Sequence, residues 1–72
     1  MNGSERAKPY DHLNSWLDKI VRVKLRDGSV VEGIFQSYDV HMNVVVKVQK
    51  ELNISYLFIR GDSLLFIEKA EK

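Results

Sequence analysis

From Ile20 onward, apolar and polar residues alternate in short runs that are separated by polar turns. The first run covers residues 20–26 and ends at Asp27-Gly28, a strong signal for a β-hairpin with a two-residue type I′ turn, whose positive φ glycine tolerates. Further strands are predicted at residues 29–38, 44–48, 54–59 and 64–67. Strands this short and this closely spaced leave no room for βαβ crossovers. The pattern therefore predicts a mainly all-β class, a small antiparallel barrel of five strands.

A short helix is predicted before the strands. Pro9 suits the first position of a helix, where its missing N–H is not needed. Four apolar side chains then fall at the spacing of one helical stripe: Leu13, Trp16, Leu17 and Ile20. We therefore expect a helix over residues 9–17 that covers the sheet. Gly33 interrupts the second strand and is predicted to mark a bend, as a curling barrel requires.

Length and charge exclude several classes of protein. The chain has 72 residues and no cysteine, which excludes disulfide bonds, thiolate metal sites and cysteine nucleophiles. Its formal charge of +1 does not suit a strongly basic nucleic-acid-binding tail. No apolar run approaches a membrane span and no signal-type segment begins the chain, so we expect a cytoplasmic protein (nuclear if eukaryotic) without a membrane partner. A core this small is commonly supported by oligomerisation.

The fourth and fifth predicted strands are apolar on both faces. In residues 54–59 and 64–67, apolar side chains occupy odd and even positions alike. A strand on the surface of a monomer should have one polar face, and an exposed apolar edge invites association. We therefore expect these strands to pair between protomers. If the two edges differ, the contact is heterologous and closes into a ring.

Two short loops hold the unusual polar residues, Asp39-x-His41-Met42-Asn43 and Arg60-Gly61-Asp62. In the predicted strand order they can meet at one end of the barrel. An imidazole and a guanidinium can stack on the two faces of a flat base, and an Asn amide offers a donor and an acceptor to its edge. His41, Asn43 and Arg60 thus form a candidate slot for one nucleotide. Simple turn capping by Asp39, Asn43 and Asp62 is the alternative.

Catalysis and metal binding are not expected. Ser37, Asp39 and His41 are the residue types of a hydrolytic triad, but no nucleophile elbow or oxyanion hole accompanies them. The only histidines are His12 and His41, too few for a well-spaced metal site. There is no Gly-rich phosphate loop. We therefore predict a protein that is not an enzyme and has no metal, no cofactor and no small-molecule substrate.

Two separated motifs resemble those of the Sm and Sm-like (LSm) proteins. The first lies within residues 20–48, and its landmarks at the family's spacing are Gly28, Gly33, Asp39, Met42 and Asn43. The second lies within residues 54–67 and is centred on Arg60-Gly61. The resemblance covers residues 9–67. We therefore expect an Sm domain over that range, with an N-terminal tail at 1–8 and a C-terminal tail at 68–72.

The resemblance implies the Sm fold, an N-terminal helix followed by a strongly bent, SH3-like barrel of five antiparallel strands. It also implies closed rings in which the fourth strand of one subunit pairs with the fifth strand of the next. Seven subunits are favoured, and six are the alternative. The compact chain looks most like an archaeal Sm-like protein that forms homo-oligomers. The bacterial Hfq branch, with rings of six and no Arg-Gly turn of this form, ranks lower.

The resemblance further implies a function in RNA processing and ribonucleoprotein assembly, through binding of U-rich single-stranded RNA near a central pore. By motif position, His41 and Arg60 would be the two stacking platforms. Asn43 would read the edge of the uracil, and Gly61 would supply a backbone contact.

Three further residues have supporting roles by the same resemblance. Asp62 would orient Asn43 or Arg60, Asp39 would hold the loop in shape, and Met42 would belong to the core. The alternative function is a structural or protein-interaction module on a similar barrel, without base-specific RNA binding. A peptide-binding barrel of the SH3 type needs an exposed aromatic groove. The aromatic residues here fall mainly on predicted core positions, which disfavours that alternative.

Overall fold

The computed structural model describes residues 9–70, which form one helix and five strands. The helix α1 spans Pro9–Trp16, and the strands are β1 (Ile20–Leu25), β2 (Val30–Tyr38), β3 (Val44–Lys50), β4 (Asn53–Ile59) and β5 (Leu64–Lys69). One turn of 3-10 helix at Gly61–Ser63 joins β4 to β5. The predicted fold class, a helix followed by five antiparallel strands, is confirmed. The predicted tail at residues 1–8 lies outside the described residues.

The strands form one sheet in the order β4-β3-β2-β1-β5. β4 and β5 are therefore its two edges, and the barrel is open between them. The ladder shifts register after Lys24 in β1 and after Phe35 in β2. Irregularities of this kind bend a strand and increase its twist, which lets a five-stranded sheet curl around a small core.

Gly33 allows β2 and β3 to approach each other at the bend. A Cβ atom at this position would lie 2.5 Å from the carbonyl oxygen of Lys47 and 2.5 Å from Cγ1 of Val46. No side chain fits at that distance, so only glycine permits the approach. This contact is the physical reason for the bend that the sequence predicted at Gly33.

The core lies on one face of the sheet and is closed by the helix. Among the described residues, the buried apolar side chains are Leu13, Val21, Val23, Phe35, Val44, Val46 and Ile59. In the first half of β1 and of β3 every second residue is buried, which is the period expected of strands with one face on the core. Trp16 and Leu17 pack against this cluster from the helix. The predicted stripe therefore covers the sheet through Leu13, Trp16 and Leu17, but the prediction is wrong for Ile20, which begins β1 and is 42% exposed.

Both edge strands expose apolar side chains. The exposed fractions run from 38% to 79% for Ile54, Tyr56, Leu57, Phe58, Leu65 and Phe66. The expectation that aromatic residues lie mainly in the core is therefore wrong for Tyr56, Phe58 and Phe66. An apolar surface concentrated on two unpaired edges is typical of strands that a partner covers.

The last strand is longer than predicted. β5 continues through Glu68 and Lys69, which were expected to begin the C-terminal tail. Glu68 lies opposite Arg22 in the β1–β5 ladder, and Nη1 of Arg22 donates to the Glu68 carboxylate at 2.7 Å. The ion pair between Arg22 and Glu68 on the exposed face of the sheet thus accompanies the extension of β5 into residues that were expected to belong to the C-terminal tail.

The β1–β2 turn differs from the predicted two-residue type I′ turn. Gly28 has a φ of +94°, but Asp27 does not share the positive φ that type I′ requires. The N–H of Gly28 bonds to the carbonyl oxygen of Leu25 at 3.0 Å. This arrangement is a three-residue hairpin loop with glycine at its left-handed position. The carboxylate of Asp27 braces the loop by accepting bonds from the N–H and hydroxyl of Ser29, at 2.8 and 2.6 Å.

Candidate functional site

The loop between β2 and β3 and the turn between β4 and β5 lie side by side at one end of the sheet. Val44, the first residue of β3, is paired with Ile59, the last residue of β4. Asn43 and Arg60 therefore leave two adjacent strands at the same level. This pairing explains why the two predicted polar loops meet, as the sequence led us to expect.

Four of the predicted site residues line one open pocket of about 490 Å³: His41, Asn43, Arg60 and Asp62. The side chains of Arg60 and Asp62 are 80% and 69% exposed, so both can be reached from solvent. The pocket combines one imidazole, one amide, one guanidinium and one carboxylate. These groups can stack on a flat ring and bond to its edge, and nothing in the set requires a metal ion.

Asp39 organises the first loop although it does not line this pocket. Its Oδ1 accepts the backbone N–H groups of His41 at 2.8 Å and of Asn43 at 3.0 Å. Its Oδ2 accepts a bond from the side-chain amide of Asn43 at 3.0 Å. The bond from the Asn43 amide, with the backbone bonds from Asn43 and His41, lowers the pKa of Asp39 below its ordinary value. The predicted role, holding the loop in shape, agrees with these contacts.

Asn43 connects the two loops. Its Nδ2 donates to Asp39 within its own loop, and its Oδ1 accepts the backbone N–H of Gly61 from the other loop at 2.7 Å. A primary amide has two hydrogens and two lone pairs, so one donor and one acceptor remain for a ligand.

Gly61 is required by the contact between the loops. A Cβ atom on it would collide with the backbone carbonyl of His41. The N–H of Gly61 bonds to Asn43, and its carbonyl oxygen accepts the N–H of Leu64. Sequence reasoning gave this glycine a backbone contact with RNA. In the structure, the N–H and the carbonyl oxygen of Gly61 both have partners within the chain. Glycine is required at this position because the two loops pack closely together.

Asp62 contacts Arg60 and not Asn43. Nη2 of Arg60 lies 3.3 Å from Oδ2 of Asp62. Of the two orienting roles expected for Asp62, only the one toward Arg60 is therefore seen, while Asn43 is oriented by Asp39. This exposed ion pair contributes little to stability, but it can limit the directions in which the guanidinium points.

Arg26 supports the second loop and was missed by the sequence reasoning. Its Nε donates to the backbone carbonyl of Asp62 at 2.9 Å, and its backbone N–H donates to the carbonyl of Ser63 at 2.9 Å. Arg26 lies in the β1–β2 hairpin loop, which reaches this turn because β1 pairs with β5. No local motif marks that pairing, so no signal in the sequence could have found the contact.

Met42 has an unusual backbone conformation for its residue type. Its φ is +64°, and its N–H bonds to the carbonyl oxygen of Asp39 at 3.0 Å. Few residues other than glycine adopt this region. The side chain is partly buried and packs against the core cluster, which places it at the margin of the predicted core.

Neither a metal-binding cluster nor a membrane-spanning helix occurs among the described residues. Within residues 9–70, no three His, Asp or Glu side chains cluster so that they could hold a metal ion. In the same part of the chain, no helix has the length and apolar character needed to cross a membrane.

Comparison with known proteins gives consistent matches. Residues 11–69 match the model of the LSM domain family. A relative described as an snRNP Sm-like protein, from Methanococcoides burtonii, is 36% identical over 67 residues, which cover 83% of this chain and 93% of the relative.

Two solved structures match almost the whole of this chain. The Sm protein of Pyrococcus abyssii, solved in complex with a uridine heptamer, is 32% identical with a TM-score of 0.75, covering 89% of this chain and 100% of that one. A heptameric archaeal Sm protein is 30% identical with a TM-score of 0.70, covering 85% and 98%. The likeness therefore extends over the whole unit of one helix and five strands.

Proposed function

This chain belongs to the LSM domain family, and from that premise we propose that it is a non-catalytic subunit of a closed ring that binds U-rich single-stranded RNA. Each subunit contributes one uridine slot near the central pore, and the ring acts in RNA processing or ribonucleoprotein assembly. The observation that carries the proposal is the joined pair of loops, in which Asn43 lies in one pocket with His41 and Arg60.

The chemistry of the pocket suits uracil. His41 and Arg60 supply two planar groups that can stack on a base from opposite sides. Asn43 keeps one amide hydrogen and one oxygen lone pair free, and uracil offers an N3–H donor beside two carbonyl acceptors. The uridine heptamer in the Pyrococcus abyssii complex, on a chain 32% identical to this one, supports the choice of uridine.

The two unpaired edges support a ring. β4 and β5 are different strands with exposed apolar side chains, so an edge-to-edge contact between subunits joins unlike surfaces. A contact between unlike surfaces repeats from subunit to subunit and closes when the rotation permits. The heptameric archaeal Sm relative supports seven subunits, with six as the alternative.

A ring also explains how weak slots can give useful affinity. Stacking contributes about 1–3 kcal/mol per base, which alone holds a single nucleotide weakly. When several slots surround one pore, each further nucleotide binds intramolecularly at a high effective concentration. The affinity should therefore increase steeply with the length of oligo-U until the slots are filled.

Two measurements test the proposal together. Fluorescence anisotropy with oligo-U and oligo-C of equal length, at one salt concentration, should give tighter binding of oligo-U. Native mass spectrometry should give a ring of seven or six subunits and the number of RNA strands on it. Equal affinities for the two oligonucleotides would exclude base reading, and a monomer at micromolar concentration would exclude the ring.

The exposure of Phe58 and Tyr56, at 79% and 53%, favours a second candidate, a protein-interaction module without base-specific RNA binding. Such a module would bind peptides through these aromatic side chains and would not retain oligo-U. Ring assembly through β4 would cover the same surface. A peptide-array signal together with a monomeric mass and no RNA binding would favour this candidate.

A further inference from the structure

The turn between β4 and β5 follows Arg60, one of the two proposed stacking platforms, but has no anchor in the core. None of the residues Gly61–Ser63 is buried, and no side chain in the described part of the chain caps the start of the turn. Within the turn, the N–H of Ser63 donates to the carbonyl oxygen of Arg60 at 3.0 Å. The placement of Arg60 therefore depends on the hydrogen bonds that join this turn to other loops.

In the described part of the chain, those bonds come from two residues, one at each end of the turn. At the start, Oδ1 of Asn43 accepts the N–H of Gly61 at 2.7 Å. At the end, Arg26 donates twice, from Nε to the carbonyl oxygen of Asp62 and from its backbone N–H to that of Ser63, both at 2.9 Å. The last carbonyls of a helical turn lack partners within the turn. Arg26 therefore acts as the cap of this end.

A β-bulge beside the turn brings Arg26 within reach of it. Two consecutive residues of β1 pair with residues of β5 that are two positions apart, so β5 holds one extra residue, between the pairs Lys24–Phe66 and Leu25–Leu64. A bulge bends its strand and redirects the side chains beside it, and bulges are common next to functional sites. The backbone bond from Arg26 to Ser63 fixes this residue at the base of the hairpin loop, independently of the tip at Gly28.

The contact from Arg26 continues through Asp62 to the guanidinium of Arg60. Nε of Arg26 holds the peptide that follows Asp62, and Oδ2 of Asp62 lies 3.3 Å from Nη2 of Arg60. A fixed peptide holds the carboxylate in place, and the carboxylate limits the directions of the guanidinium. Arg60 is largely exposed, so without these contacts its side chain would have to be ordered when a base binds. Ordering a long side chain on binding reduces affinity.

We propose that Arg26 is a positioning residue of the uridine slot, which acts through Asp62 to hold the guanidinium of Arg60 in its stacking direction before RNA binds. The inference rests on the proposed function, since it presumes that Arg60 stacks on a base. Arg26 does not line the pocket formed with His41 and Asn43, so it acts on the base only through the turn.

A direct contact with an RNA phosphate is the competing role for this side chain. Within residues 9–70, Nη1 and Nη2 of Arg26 have no hydrogen-bond partner, and arginine commonly binds phosphate through these groups. The space beside the guanidinium, about 290 Å³, is also lined by Asp27 and Asp62, whose negative charges disfavour a phosphate there. The contacts therefore favour positioning. The two roles predict different results for a side chain that keeps the donor and loses the charge.

Arg26→Gln and Arg26→Met form a matched pair that separates these roles. In glutamine, Nε2 lies as many bonds from the backbone as Nε does in arginine, so it can donate to the carbonyl oxygen of Asp62. Methionine is equally long and has no donor. Both substitutions remove the charge and both Nη groups, and both keep the backbone bond to Ser63. The variants therefore differ in the one hydrogen bond on which the proposal depends.

Fluorescence anisotropy with oligo-U measures the affinity of both variants, with ring mass as a check on assembly. We expect Arg26→Gln to stay within roughly twofold of the wild type, because the bond to Asp62 is retained. Arg26→Met should bind roughly threefold to tenfold more weakly, because Arg60 must then be ordered on binding. Equal losses in both variants would indicate a charge or phosphate contact and would overturn the inference. Wild-type affinity in Arg26→Met would overturn it too.

The same substitution in an Arg60→Ala background tests the path through Arg60. If Arg26 acts by positioning this guanidinium, Arg26→Met should cost no further affinity once the guanidinium is absent. A merely structural role of Arg26 would lower the affinity by the same factor in both backgrounds. That result would contradict the proposed path even if Arg26→Met alone binds weakly.

A measurement without RNA separates this inference from the proposed function. Nitrogen relaxation of the Arg60 Nε–H group, measured by NMR, reports the fast motion of the guanidinium. We expect more motion in Arg26→Met than in the wild type or in Arg26→Gln, and equal motion in all three would overturn the role of Arg26. A wild-type ring that does not bind oligo-U contradicts the proposed function itself. A ring that binds oligo-U, with equal motion in all three proteins, contradicts only the role of Arg26.

Discussion

The backbone N–H of Gly61 donates a hydrogen bond to Oδ1 of Asn43 at 2.7 Å, although the two residues are 18 positions apart in the chain. This bond joins the β2–β3 loop to the turn after β4, and it exists because β3 and β4 are paired up to their shared end. The candidate slot is therefore one structural unit. A change that separates the two loops should affect its stacking groups and its amide together.

Gly61→Ala should separate the loops. The added Cβ would collide with the carbonyl of His41, and overpacking of this kind typically costs about 1–3 kcal/mol of stability. Because Asn43 would lose its partner as the loops move apart, we expect oligo-U affinity to fall by roughly tenfold or more. Urea denaturation and fluorescence anisotropy on the same preparation would measure the two effects.

Gly28→Ala is the matched control for that experiment. Gly28 has a φ of +94° and open space where a Cβ would lie, so alanine costs about 1–2 kcal/mol of backbone strain without a collision. Its loop contributes no side chain to the pocket lined by His41 and Asn43. We expect lower stability and unchanged RNA binding. Wild-type RNA affinity in Gly61→Ala would contradict the requirement for close packing of the loops.

Arg60→Ala should weaken RNA binding with little effect on stability. The guanidinium is 80% exposed and its ion pair with Asp62 is on the surface, so the loss of stability should stay below about 1 kcal/mol. The loss of one stacking face should cost about 1–3 kcal/mol per occupied slot. Lys24→Ala removes the same charge from the sheet, away from the pocket, and serves as control. Equal losses of affinity in both variants would indicate a general charge effect and not stacking.

Local sequence patterns predicted the elements of this fold well, because each pattern reports on its own residues. The alternation from Ile20 and the hairpin at Asp27-Gly28 depend on nearest neighbours along the chain, whereas Gly33 marked its bend by residue type alone and the contact that requires glycine is with β3. The residues of the slot could be named because two compact polar loops interrupt an otherwise regular pattern. The prediction that these two loops lie side by side required one further assumption, the order of the strands in the sheet.

Contacts that depend on distant pairing could not be predicted in the same way. Glu68 belongs to β5 because it lies opposite Arg22, and Arg26 reaches Asp62 because β1 is next to β5. Neither contact is marked by a sequence pattern close to the residues that form it. The hydrogen bonds of Asp39 could not be predicted either: one carboxylate oxygen accepts a backbone N–H and the other accepts the side-chain amide of Asn43. The sequence shows only an acidic residue near an amide.

Phe58→Glu should prevent ring assembly and leave the fold of the subunit intact. Phe58 is 79% exposed on the edge strand β4, so a charge there costs the monomer little, whereas burying that charge against another subunit is strongly unfavourable. Light scattering should show a shift toward the 8.4 kDa monomer, with an unchanged circular dichroism spectrum. Leu52→Glu, at a position 98% exposed in the β3–β4 turn, is the control and should leave the ring unchanged. Intact rings in Phe58→Glu would place the subunit contact elsewhere.

Acid should destabilise the loop that Asp39 organises. Its pKa is lowered below the ordinary value of 3.8, mainly by the bond from the Asn43 amide, so its stabilising contribution is present above pH 3.8 and is lost as the pH falls through the lowered pKa. Asp39→Asn lacks this contribution at every pH. The difference in unfolding free energy between the wild type and this variant should therefore narrow as the pH falls from 5 to 2. A constant difference across that range would show that the carboxylate charge contributes nothing.

Binding of oligo-U should depend weakly on salt. Each subunit carries a formal charge of +1, and in the pocket Arg60 is partly neutralised by Asp62, so few phosphate contacts are available per slot. For single strands the logarithm of the affinity falls with the logarithm of salt concentration with a slope of about −0.7 for each phosphate contact. Because stacking and base contacts release no counterions, we expect the magnitude of this slope to stay below about one per bound nucleotide.

Anisotropy titrations of the wild type and Arg60→Ala at several salt concentrations would measure the slope, and the substitution should change the affinity more than the slope. A slope that disappears in Arg60→Ala would identify the guanidinium as a phosphate contact and contradict its assignment as a stacking platform.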